Sequence, residues 1–197
     1  MRVFFVTTNK HKAYECEALV RELRAGRDIE VVHVDRTLDE VLATDLQHLI
    51  RDKAKQAWDQ VRAPVFVEHG GLQIDYFGGL PGTLIKPFWA TLGAELGAKI
   101  PEGASRRAVA LRATCYCNGR TRVVFDEQRS GAIAEHPTGT EGFHWDPFFV
   151  PDDQPDPARP GRTYAQMSRE EKLWASGGRK VLGALIDHLD KEKAGWD

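Results

Sequence analysis

The chain has little cysteine, no long apolar run and no dominant sign of charge, and each lack closes off a class of protein. Its three cysteines, Cys16, Cys115 and Cys117, make no zinc-like spacing. Cys115-x-Cys117 falls inside a strand-like run, where alternate residues share a face, so both read as small packing residues in a reducing compartment. No stretch approaches the roughly 18 apolar residues of a bilayer span. The opening MRVFFVTTNKHK reads as a strand rather than a secretory leader, and a cytoplasmic protein without a membrane partner is expected. Lys and Arg number 27 against 29 Asp and Glu, a formal net charge of −2. Nucleic acid is therefore not the expected partner, and any phosphate site has to be local. A P-loop is absent too, because no GxxxxGK[ST] spacing occurs.

What is present suits a single domain over 1–197, in one or two lobes. With 42% apolar and 28% charged residues the chain can bury a core without staples. Short apolar runs at Val3–Val6, Ile29–Val34 and Pro64–Val67 read as strands. Between them, Ala13, Cys16, Leu19, Val20 and Leu23 form one helical stripe, and a second helix is expected from about Asp45 to Val61. Pro81-Gly82 is expected to introduce a third. Ala108–Cys117 and Arg120–Ile133 read as a hairpin joined by Asn118-Gly119, a pair suited to a type I′ turn. Residues 137–151 and the proline-rich 151–161 read as loops, and a last helix is expected from about Gly178 to Lys191. Strands alternating with helices, then a long hairpin, predict an α/β fold with a mixed sheet.

Three segments could carry chemistry. The strand-TTNKHK-helix junction offers Thr7, Thr8 and Asn9 as short donors, and Lys10 and Lys12 as charge, beside a helix N-terminus that favours anions. Thr8 or Asn9 serving only as a helix cap is the plainer reading. EHGGLQIDYFGGLPGTLIK, residues 68–86, places Glu68 and His69 at the C-terminal end of a buried strand, the edge where open α/β sheets bind ligands. Its glycines let the backbone approach a ligand, or simply make turns. Lys53 lies on or beside the apolar stripe of its helix, either snorkelling to solvent or reaching an anion. In GFHWDPFFVPD, residues 142–152, Phe143 and Trp145 flank His144 and precede Asp146; aromatic faces stack bases and a carboxylate accepts a base N–H.

Taken together, these segments resemble the inosine-triphosphate pyrophosphatase (Ham1) family. Thr7, Asn9 and Lys12 match its TxNxxK start. Glu68, Leu72, Gly78 to Gly82 and Lys86 match its second block, and Phe143, Trp145, Asp146, Pro147, Phe149, Pro151 and Asp152 its third. Thr163, Tyr164, Ala165, Met167, Glu171 and Lys172 match the last. The resemblance implies an elongated mixed sheet flanked by helices, two lobes around a central cleft, and a homodimer. It implies hydrolysis of a non-standard or modified purine nucleoside triphosphate to monophosphate and pyrophosphate, with Mg²⁺ or Mn²⁺ as cofactor. Thr7, Thr8, Asn9, Lys12, Lys53 and Lys86 would hold the triphosphate. Phe143, His144, Trp145, Asp146, Lys172, Ser176 and Arg179 would surround the base; Glu40, Glu68 and His69 would bind the metal, the last two being catalytic. Two departures stand out: His69 replaces an aspartate, and Ser176-Gly177-Gly178 replaces a Ser-His-Arg, leaving Arg179 to substitute after a one-residue slip. Altered base selectivity is thus expected, and a weakened nucleotide binder or sensor is the alternative. A related hydrolase or transferase acting on a modified nucleotide is a third reading.

Overall fold

Parallel strands need a crossover, and the first two helices supply one each. In the computed structural model, which describes residues 1–194, β1 (Arg2–Val6) leads through α1 (Lys10–Leu23) to β2 (Glu30–Val34), then through α2 (Leu46–Val61) to β3 (Val65–Ile74). β1 pairs in parallel with β2, Arg2 opposite Glu30 through Val6 opposite Val34, and with β3, Phe5 opposite Phe66. β4 (Pro81–Gly82) runs antiparallel to β3; α3 (Ile85–Leu92), β5 (Arg107–Cys117) and β6 (Arg122–Ile133) follow. β7 (Phe149–Pro151) pairs antiparallel with β6, and α4 (Arg169–Ala175) and α5 (Gly178–Ala194) complete the elements. The sheet order is β2-β1-β3-β5-β6-β7, with β4 attached to β3. The architecture is the mixed α/β sheet that the sequence predicts. Among the described residues, no helix is long and apolar enough to cross a membrane.

The described chain forms two compact units, and the division falls within β3, β5 and β6. Met1–His69, Ala113–Asp126 and the described residues from Arg179 make the first; Gly70–Arg112 and Glu127–Gly178 make the second. In the first unit, α2 lays Ile50, Ala54 and Ala57 on Val65, Val67 and Cys115. All three cysteines are buried, as their spacing suggested, and burial pushes the Cys115 thiol up to about 12. The core of the second unit is built on Leu72, Ile74, Ile100, Phe148, Phe149 and Tyr164.

Three local expectations need correction, and one helix is added. The third strand does not stop at Val67 but runs through His69-Gly70-Gly71 to Ile74. A Cβ on Gly71 would stand 2.8 Å from the Gly82 carbonyl oxygen, so this glycine admits a neighbouring backbone rather than making a turn. Pro81-Gly82 is that neighbouring strand, and α3 starts only at Ile85. At the hairpin tip Gly119 takes a positive φ of 86°, whereas Asn118 does not; its Oδ1 accepts from the backbone N–H groups of Arg120 and Thr121, the local closure that suits Asn. The added helix, α4, lies between the proline-rich loop and the last helix, in a stretch that carried no expectation. Its signal was legible: Ser168 and Glu171 form a reciprocal capping box.

Candidate functional site

The first unit assembles a cluster of lysines and glutamates where β1 meets α1 and β3 meets α2. The turn after β1 is closed by short side chains. Asn9 caps α1, its Oδ1 accepting from the N–H groups of His11 (3.0 Å) and Lys12 (3.2 Å), while its own N–H donates to Thr7 Oγ1 (3.1 Å). The capping role is thus filled by Asn9, and Thr8 is exposed. The first turn of α1 then holds Lys10, His11 and Lys12 and no acid. That is the reverse of what the helix dipole favours, since cations stabilise the other end. Local rules are broken in this way where a site needs the charge.

Alternation along β3 separates the two residues at its end. Val65, Val67 and His69 share one face, covered by α2, while Phe66 and Glu68 share the other, where Phe66 stacks on Phe5 at 4.6 Å. Lys12 Nζ lies 3.3 Å from Glu68 Oε1. Lys53 reaches across from α2, donating to Glu40 Oε1 (2.9 Å) and to the Glu68 carbonyl oxygen (3.4 Å). Lys53 is therefore not snorkelling to solvent: its side chain is only 14% exposed. His69 is buried at 5% exposure. Glu40, Glu68 and His69 do not come together as one ligand set: among the described residues no three His, Cys, Asp or Glu side chains form a metal-binding group. The cause is geometric, because neighbours on a strand point to opposite faces and each carboxylate leans on a lysine.

In the second unit the aromatic segment forms a buried charged cluster. Asp146 Oδ2 accepts from Lys172 Nζ (2.8 Å) and from the Phe143 N–H (2.7 Å), with both charged side chains under 10% exposed. The same ammonium lies 4.5 Å from the centre of the Phe143 ring. His144 is exposed, holds a positive φ of 53°, and contacts Phe143, Trp145 and Trp89 with ring centres 5.1 to 6.4 Å apart. Trp145 lies over Gly70, where a Cβ would stand 3.5 Å from the ring. Lys86 sits in the first turn of α3, another turn with a cation and no acid. Ser176 ends α4 and accepts from Arg112 Nη1 (3.3 Å), a neighbour sequence reasoning did not foresee. Arg179 Nη2 donates to Glu22 on α1 at 2.6 Å, within the first unit.

Residues 3–188 match the Ham1 family. The chain belongs to that family. It is 35% identical to inosine triphosphate pyrophosphatase 2 of Trypanosoma cruzi (strain CL Brener) over 190 residues, 95% of this chain and 92% of the relative. It is 32% identical to the dITP/XTP pyrophosphatase of Methanopyrus kandleri over 99% of this chain and 100% of that one. A HAM1 protein from Coxiella burnetii superposes with a TM-score of 0.76 at 20% identity, covering 97% of this chain and 99% of its own, which fixes the fold alone.

Proposed function

We propose that the chain is a divalent-metal-dependent pyrophosphatase that cleaves a purine nucleoside triphosphate to monophosphate and pyrophosphate. The observation that carries this is the lysine cluster: Lys10 and Lys12 crowd a helix N-terminus without an acid, and Lys12 and Lys53 both lean on Glu68. Family membership and relatives named for inosine, dITP and XTP triphosphates support the reaction class. Thr7, Thr8, Asn9, Lys12, Lys53 and Lys86 are assigned to the triphosphate. Phe143, His144, Trp145, Asp146, Lys172 and Ser176 are assigned to the base.

In the reaction, water adds to the α-phosphorus and the bond to the bridging oxygen of pyrophosphate breaks. Little covalent help is required, so positioning and charge do most of the work. Lys12 and Lys53 neutralise non-bridging oxygens as Glu40 and Glu68 release them. Glu68, on the face of β3 that it shares with Phe66, takes the proton of the attacking water. His69, turned to the α2 face, is the second proton acceptor we assign, because an imidazole nitrogen can take up a proton. The donor set suits Mg²⁺, which is held by one or two carboxylates with phosphate oxygens; here Glu40 and Glu68 would hold it, and imidazole is a poor ligand for so hard a cation. When bound, the ion adds positive charge to the triphosphate oxygens.

Pyrophosphate release from inosine, xanthosine, adenosine and guanosine triphosphates, with Mg²⁺ or Mn²⁺, tests this reading. Release by the wild type that Lys12→Ala diminishes is expected. No release by the wild type, with activity gained in His69→Asp, would replace the enzyme by a nucleotide binder. Release undiminished in Lys12→Ala would remove the proposed phosphate site.

A further inference from the structure

The turn from α4 to α5 reads Ser176-Gly177-Gly178, and side chains from the sheet fill the space beside both glycines. A Cβ on Gly178 would stand 2.6 Å from Nη1 and 2.9 Å from Cζ of Arg112, on β5. A Cβ on Gly177, whose φ is +69°, would stand 2.5 Å from Cγ of Glu127, on β6. Neither position admits a side chain unless its occupant moves. The Arg112 guanidinium is therefore seated against the turn, and its Nη1 donates to Ser176 Oγ.

This seat adjoins the cluster assigned to the base. Ser176 lies four residues beyond Lys172 on α4, so the two share a face, and Lys172 is the residue on Asp146 and Phe143. Trp145 covers Gly70 where a Cβ would also stand 3.7 Å from the Leu111 carbonyl oxygen, one residue before Arg112 on β5. The buried Tyr164 hydroxyl has its pKa raised by burial and by Asp146, and drawn back by Arg129 and Arg112, so these charges act on one point.

We propose that Arg112 is a specificity-determining residue that donates two hydrogen bonds to the O6 and N7 acceptors of a 6-keto purine, with Ser176 positioning its guanidinium. The inference rests on the assignment of the Phe143–Lys172 cluster to the base. A guanidinium only donates, and its paired N–H groups match O6 and N7 of guanine-type bases, whereas adenine turns a donor at position 6 toward them. The charge that reads the base thus comes from a strand, and the paired glycines are what make room for it.

The test measures dissociation constants of the full chain for α,β-methylene analogues of inosine and adenosine triphosphate, which separates base reading from turnover. Arg112→Met should weaken the inosine analogue by about tenfold to a hundredfold and leave the adenosine analogue within about twofold. Arg112→Lys should restore part of the difference. Gly178→Ala, which displaces the guanidinium while keeping the arginine, should lower the same ratio and carries the test if Arg112→Met does not fold. An unchanged ratio in these variants overturns the role of Arg112. Phe143→Ala tells the two failures apart. If it weakens both analogues while the arginine variants leave the ratio alone, only Arg112 is misassigned; if it weakens neither, the base cluster itself is wrong.

Discussion

Two lysine–carboxylate pairs, one in each unit, show how differently the same chemistry can be built. Lys172 and Asp146 are locked: 2.8 Å apart, under 10% exposed, with a backbone N–H and an aromatic face completing the arrangement. Lys12 and Glu68 are slack: 3.3 Å apart, longer than the 2.7–2.9 Å of a charged hydrogen bond, and placed at a helix end that disfavours the lysine. A locked pair shapes a pocket and keeps its geometry. On the function proposed above, a slack pair gives up its cation to a better anion, and a triphosphate is one.

The comparison breaks most visibly in stability. Asp146→Ala should cost about 3–5 kcal/mol, because it strands a buried ammonium; urea denaturation reads this directly, and a loss below 1 kcal/mol would show that the pair is not locked. Lys12→Met, at a pair 16% and 10% exposed, should cost less, about 2 kcal/mol by the same measurement, yet lower kcat/KM for pyrophosphate release by about a hundredfold or more. Equal losses of stability in the two variants would erase the distinction. His144→Gly sharpens the second unit: it relieves a left-handed residue, so stability should shift by less than about 1 kcal/mol, while removal of the exposed ring should change KM more than kcat.

The smallest effect concerns acid. The guanidinium of Arg162, helped by the Ser168 N–H, holds the Glu171 carboxyl down at about 2, from 4.5. A carboxyl lowered on folding adds stability above its unfolded value and loses it as pH falls through the folded one. The contribution should therefore fade between about pH 4.5 and 2. Glu171→Gln should flatten that part of a pH–stability profile by a small amount, since the group is partly exposed.

Much of the fold was legible in local pattern. The stripe of Cys16, Leu19 and Val20 is buried, and so is the last helix's Val181, Leu182, Leu185, Ile186 and Leu189. What misled was glycine: Gly70-Gly71 resemble a turn in sequence, and only the approach of Gly82, eleven residues beyond Gly71, shows why the strand needs a glycine at 71. In the candidate site, residue types were legible but partners were not. That Glu68 and His69 are separated by strand alternation follows from the sequence once the strand is known to continue. That Arg112 meets Ser176, 64 residues away, follows only from the sheet.

The few cysteines have a practical consequence. Cys16, Cys115 and Cys117 are all buried and all belong to the first unit, with the Cys115 thiol raised to about 12 and so protonated at neutral pH. A thiol reagent should find the native chain silent and react as the first unit opens, since only the thiolate is an efficient nucleophile and only an exposed one can be reached. The natural sequence therefore carries a chemical clock in one half of the molecule, able to time its opening without an added label.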